Sequence, residues 1–183
     1  MIFEQTRIQG VYLISPERLE DERGFFARTW DRDEFERRGL DPRAVQSSIS
    51  FNQRRGTLRG LHYQAAPFEE AKLVRCTAGA IFDVALDLRP ESPTFCAWVG
   101  AELSADNRAA LYVPQGCAHG FLTLEDRSEI HYQMTEAYVP EAGRGVRWDD
   151  PAFGIAWPGE VSVITERDRT YPDFRTAVTP QTP

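Results

Sequence analysis

Short apolar stretches separated by turn residues recur along nearly the whole chain, and this rhythm constrains the fold more than any other feature. GVYLI, AKLVRC, GAIFDVALDLR, FCAWVGAEL, AALYVP and GFLTL follow one another with Gly, Pro, Asp, Asn or Ser nearby. Runs of this length are too short for most helices and suit the strands of a β-sandwich or barrel. The clearest is 81–89, where Phe82, Val84, Leu86 and Leu88 alternate with Ile81, Asp83, Ala85, Asp87 and Arg89. Successive side chains in a strand point to opposite faces, so one face is apolar and the other carries two carboxylates. That second face either lines a ligand cavity or meets solvent. One short helix is predicted over 31–38 (DRDEFERR), with an aspartate able to cap it and Gly39 behind it. No repeat or low-complexity linker interrupts the chain, so residues 1–183 are read as one domain, with a polar C-terminal tail from about 175.

Composition narrows the function classes. At 42 % hydrophobic and 27 % charged residues, the 183-residue chain has an ordinary globular balance and the size to bury a core without disulfides or a structural metal. No apolar run nears the roughly 20 residues that cross a bilayer, and the N-terminal MIFEQTRIQGVYLI does not read as a signal peptide, so a cytoplasmic protein without membrane partners is expected. A net charge of −7 argues against nucleic acid as a general partner while leaving local arginines free to hold a phosphorylated ligand. Cys76, Cys96 and Cys117 lack CxxC spacing and read as reduced thiols in strands.

Only three histidines are present, His62, His119 and His131, all in or beside predicted strands. There is no His-x-His pair of the kind that a metal-binding barrel uses, nor a GxSxG elbow, a Walker loop or a GxGxxG fingerprint, so no metal and no cofactor are expected. Side-chain acid–base chemistry remains. GTLRGLHYQ (56–64) brings Arg59 close to His62, with Lys72 ten residues further on. A base that titrates near neutrality beside cations is what proton abstraction next to a carbonyl requires. The stretch containing His119, Tyr132 and Tyr138 offers an imidazole and phenols that could donate protons, stack on a ligand or simply pack in the core.

Taken together, RGFF at 23–26, GTLRGLHYQ at 56–64, KLVRC at 72–76, DVALDLRPESPTF at 83–95, VPQGCAHGFL at 113–122 and VRWDDPAFGIAWP at 146–158 closely resemble the dTDP-4-dehydrorhamnose 3,5-epimerase family. The resemblance implies an all-β, cupin-type jelly-roll barrel with extra N-terminal strands and a few short helices. It also implies a homodimer that acts without a cofactor on a nucleotide-linked 4-keto-6-deoxy sugar. On the matching positions His62 is the base, Asp168 the carboxylate that orients it, Lys72 the cation near the sugar's C4 oxygen and Tyr132 the opposing acid. Arg23 and Arg59 match phosphate contacts, Tyr138 the aromatic that stacks on the nucleobase, Gln46 a nucleotide contact and His119 a substrate-site position. His131 matches no site and is read as structural.

Four positions depart from the family pattern. Arg28 stands where glutamate is common, Ser48 where asparagine is usual, Gly143 where glutamate is usual, and Arg167 where a lysine precedes the orienting aspartate. The first three belong to the nucleotide side, while the sugar-side set is intact. The resemblance therefore implies 3,5-epimerisation of dTDP-4-dehydro-6-deoxy-D-glucose. The alternatives are epimerisation at C3 alone, a substrate with another base or a heptose, a barrel that binds a sugar nucleotide without turning it over and, more remotely, a metal-dependent cupin enzyme.

Overall fold

The structure is a computed structural model that describes residues 1–174. Thirteen short strands and two short helices follow in chain order among those residues: β1 (Ile2–Gln5), β2 (Tyr12–Ser15), β3 (Leu19–Asp21), β4 (Gly24–Phe26), α1 (Arg32–Glu36), β5 (Gln46–Asn52), β6 (Leu58–Gln64), β7 (Lys72–Ala78), β8 (Ala80–Asp87), β9 (Trp98–Ser104), β10 (Ala110–Val113), β11 (Cys117–Thr123), β12 (Ser128–Met134), β13 (Gly143–Gly145) and α2 (Glu166–Arg169). Two antiparallel sheets result, in the orders β1-β2-β10-β7-β12-β5 and β13-β6-β11-β8-β9, with β3 and β4 forming a separate hairpin. The strand rhythm predicts this all-β architecture, and the family resemblance implies its cupin-type barrel.

Alternation along each strand builds the core. Val74, Leu111 and Ile130 of the first sheet meet Ile81, Ala85, Leu103 and Phe121 of the second, and Ile8 and Val11 fill the same interior. Sheets packed this way exclude water from their facing sides, which supplies the main driving force for the fold. The outer face of the five-stranded sheet is also covered: Leu61, Val84, Leu86 and Ala118 pack under Val146, Phe153 and Trp157. Both sides of β8 are consequently buried, and Asp83 and Asp87 are fully enclosed, so the solvent-facing reading of that strand is wrong. β8 also stops at Asp87, where Arg89, Ser92 and Thr94 bond the carboxylate and hold it down to about 2 against the opposing cost of burial.

On the six-stranded sheet the outer face is covered unevenly. Phe35 of α1 and Leu40 cap Leu73, Ala110 and Tyr112 at one end. At the other, Ile49 and Phe51 on the edge strand β5 remain exposed. Helix α1 is shorter than the predicted span; Asp31 caps it by accepting from the Glu34 N–H, and Gly39 turns the chain at positive φ. Cys76 and Cys117 lie in strands, whereas Cys96 sits in the turn before β9 at φ 65°; all three thiols are free. The tail expected from about 175 lies outside the described residues. Among those residues no helix is long and apolar enough to cross a membrane.

Candidate active site

A cavity of about 440 Å³ opens between the two sheets, lined by Ser50, Arg59, His62, Lys72, His119, Phe121, Tyr132, Thr165, Arg167 and Asp168. Strand register explains how the key groups converge. His62 and His119 are cross-strand partners, as are Arg59 and Phe121, so β6 spends three residues where β11 spends two. Simple alternation would put Arg59 and His62 on opposite faces. The extra residue of this bulge turns both inward. Gly60, at φ 124°, makes the irregularity possible, because a Cβ there would run into the β11 backbone at Gly120. Across the gap, Lys72 and Tyr132 point inward from β7 and β12 of the other sheet.

His62 is held by a 2.7 Å bond between its Nε2 and Asp168 Oδ1. Asp168 comes from α2, whose N-cap Thr165 accepts from the Asp168 N–H, and its other oxygen accepts from the Gly60 N–H. Burial raises the cost of its charge, but His62, Gly60 and Thr165 outweigh that cost and keep the carboxyl below its usual range. Nδ1 of His62 has no protein partner among the described residues, leaving a second nitrogen free to exchange a proton. The imidazole is 41 % exposed, so it reaches the cavity rather than the core.

A second pair lies deeper. His119 Nε2 meets Asp83 Oδ1 at 2.7 Å, with His119 only 5 % exposed and Asp83 sealed. Asp83 Oδ2 has no hydrogen-bond partner, and burial pushes this carboxyl above its usual range despite His119. The His119 ring stands edge-on to Tyr132, with centroids 5.9 Å apart. Burial first, and the Asp83 charge second, raise the Tyr132 phenol above its ordinary range, so near neutrality it is a proton-bearing donor. Lys72 is nearly enclosed and ion-paired with Glu70, and Arg59 Nε donates to Asn52 Oδ1 at 2.8 Å.

The arrangement thus sets an imidazole with an oriented carboxylate on one wall, a neutral phenol on the other, and two cations within the space between them. It can remove a proton from one side of a bound molecule, stabilise the resulting oxyanion and return a proton from the other side. Among the described residues no group of three or more His, Cys, Asp or Glu side chains is placed to hold a metal ion.

Of the residues singled out from the sequence, His62, Lys72, Arg59, His119, Tyr132, Arg167 and Asp168 line this cavity. Four others do not. Gln46 accepts from the Tyr138 N–H, and Tyr138 is 56 % exposed near the rim. Ser48 is the cross-strand partner of Tyr132 on the sheet edge, and Arg23 sits on the β3–β4 hairpin, exposed and paired with Asp21. His131 is on the outer face opposite Arg75 and Ile49, away from the cavity. Sequence reasoning did not assign Glu70, Asp83, Ser50 or Thr165 to the site. Asp83 was visible as a carboxylate on an alternating strand, and Thr165 as a cap three residues before Asp168.

The family model described as dTDP-4-dehydrorhamnose 3,5-epimerase matches residues 5–176. A dTDP-4-dehydrorhamnose 3,5-epimerase of Sinorhizobium fredii (strain NBRC 101917 / NGR234) is 46 % identical, over 95 % of this chain and 90 % of that protein. The crystal structure of dTDP-4-dehydrorhamnose 3,5-epimerase from Elizabethkingia anophelis NUHP1 superposes with a TM-score of 0.92 at 39 % identity, covering 95 % of this chain and 96 % of that one. The Bacillus anthracis str. Ames enzyme of the same name, solved with TDP and PPi bound, gives a TM-score of 0.90 at 38 % identity, over 94 % and 99 %.

Proposed function

Because this chain belongs to the dTDP-4-dehydrorhamnose 3,5-epimerase family, we propose that it is an isomerase that inverts C3 and C5 of dTDP-4-dehydro-6-deoxy-D-glucose, giving dTDP-4-dehydro-L-rhamnose. One observation carries the mechanism: His62 and Tyr132 come from different sheets and enter one cavity from facing walls. Inversion needs this, since the proton leaves one face of the carbon and another arrives on the opposite face.

Both carbons adjoin the C4 carbonyl, so one constellation serves both. His62 Nδ1 takes the proton from C3 or C5; the C–H electron pair becomes a carbon–carbon double bond and the carbonyl pair moves onto O4. Lys72 stabilises that oxyanion. Tyr132 then protonates the carbon from the other side as the O4 electrons return, and solvent restores its proton while His62 releases the one it took. Asp168 keeps the imidazole oriented and offsets the charge it acquires. A positioned base and acid are each worth about 10²–10⁴ in rate, and a preorganised oxyanion donor contributes further.

Arg59 and Arg167 are placed to meet the diphosphate by charge and by planar donor geometry. Tyr138, Gln46 and Ser48 lie toward the rim and would receive the nucleoside. Arg23 is remote from this cavity on its hairpin, so its phosphate role requires delivery from a second copy. Two features support such a homodimer. Ile49 and Phe51 leave an apolar sheet edge bare, and the half-buried Arg75 bonds only the Thr29 carbonyl, with no carboxylate among the described residues. Light scattering during size exclusion should report a dimer, and a monomer would remove both the assembly and the Arg23 role. Proton NMR with dTDP-4-dehydro-6-deoxy-D-glucose in deuterated water tests the reaction: exchange at C3 and C5 is expected. Exchange at C3 alone would make it a 3-epimerase, and none at either carbon would overturn the reading.

A further inference from the structure

We propose that Tyr171, a residue outside the set that handles protons, is a positioning residue that serves two groups at once, buttressing His62 across Gly145 and fixing the guanidinium of Arg167 for the diphosphate. This rests on the proposed function above. Tyr171 follows α2 by two residues and folds back over β13, where its ring occupies the place that a side chain at Gly145 would take. Gly145 is the register partner of His62. With no side chain between them, the phenol ring and the imidazole meet edge to face, with centroids 6.3 Å apart at 70°. The Tyr171 hydroxyl accepts from Arg167 Nε at 2.9 Å.

Two constraints follow. The imidazole is gripped at its Nε2 end by Asp168 and backed on its flank by Tyr171, which limits rotation of a half-exposed ring. The long, exposed Arg167 side chain is held at Nε by Tyr171 and also interacts with Tyr138, and its Nη2 lies beside Gly143. Residues 167, 168 and 171 lie within one turn and its continuation, so one segment supplies the cation, the orienting carboxylate and the buttress together. The requirement for glycine at 145 is steric: the ring has taken its Cβ space.

Three variants separate these roles. Tyr171→Phe keeps the ring and loses the hydroxyl, so kcat should stay within about twofold while KM for the nucleotide sugar and Kd for dTDP alone rise about 5- to 10-fold. Tyr171→Ala should add a drop in kcat of about 10- to 100-fold. Gly145→Ala should displace the ring and lower kcat in the native background, yet add nothing in the Tyr171→Ala background, where the space is empty. Unchanged dTDP affinity in Tyr171→Phe would overturn the Arg167 half. Native kcat in Tyr171→Ala, or equal losses from Gly145→Ala in both backgrounds, would overturn the His62 half. If Tyr171→Ala does not fold by circular dichroism, Gly145→Ala alone decides the latter half, with native kcat refuting it. Failure of the native protein to exchange C3 and C5 protons would refute the proposed reaction instead, while dTDP binding would still report on Arg167.

Discussion

The two histidine–aspartate pairs share a bond length of 2.7 Å and differ in almost everything else. His62–Asp168 sits at the cavity mouth, its carboxylate supplied by a short helix that also brings a backbone N–H and a threonine hydroxyl to bear on the charge. His119–Asp83 is sealed between sheets, its carboxylate supplied by a central strand with one oxygen left without a partner. Asp168 is therefore kept charged, whereas burial pushes Asp83 toward its neutral form. A short bond does not by itself make a base. What distinguishes the first pair is a buried carboxylate whose charge is held by hydrogen bonds from His62, Gly60 and Thr165, and an imidazole nitrogen left open to the ligand space; the second pair shapes the wall and backs Tyr132.

Substitutions should reproduce this asymmetry, and the largest effect falls on the outer pair. His62→Ala is expected to lower kcat by about 10³-fold or more without loss of fold, measured by deuterium exchange alongside a thermal melt. Asp168→Asn retains the shape and loses the charge, and should cost about 10²-fold in kcat. Tyr132→Phe should uncouple the half-reactions: His62 still exchanges the proton, while net inversion falls by about 10²-fold. Asp83→Asn should change kcat by less than about 10-fold and instead alter how stability responds to pH. Asp168 is held below its unfolded value, so its contribution is full above about pH 4 and is lost as pH falls through the folded value. Asp83 is raised, so its contribution is full below about pH 4 and is lost as pH rises. Urea melts across pH should show the native protein losing stability on the acid side through Asp168, with Asp83→Asn removing the loss toward neutrality. An unaltered pH slope in Asp83→Asn would contradict the burial argument.

Much of this was legible in the sequence. The alternating apolar runs foretold the two sheets, and the resemblance placed His62, Lys72, Tyr132 and Asp168, which the fold gathers at one cavity. What was hidden depended on geometry that alternation does not encode. Arg59 and His62 share a face only because β6 carries one extra residue at Gly60, and a strict period of two would have separated them. Asp83 and Asp87 gave no sign of their depth, because their face of β8, shared with Ile81 and Ala85, turns into the barrel interior, while residues 146–157, far along the chain, cover the apolar face of Val84 and Leu86. The residues from Thr165 onward carry no apolar run that would mark an element. Their Thr-x-x-Asp spacing is a helix cap that delivers Asp168, a signal carried by four residues in a segment with almost no apolar periodicity. Arg23 lies exposed on the β3–β4 hairpin, paired with Asp21 and outside the cavity lining, a placement that no local pattern in RGFF signals.

The central claim, that the pair with the half-exposed imidazole is the base and the sealed pair is not, is tested most directly by the rate of deuterium incorporation at C3 and C5 in native protein, Asp168→Asn and Asp83→Asn under one set of conditions. The account predicts that exchange collapses by about 10²-fold in Asp168→Asn and stays within about 10-fold of native in Asp83→Asn. The reverse order would contradict it and move the base to His119.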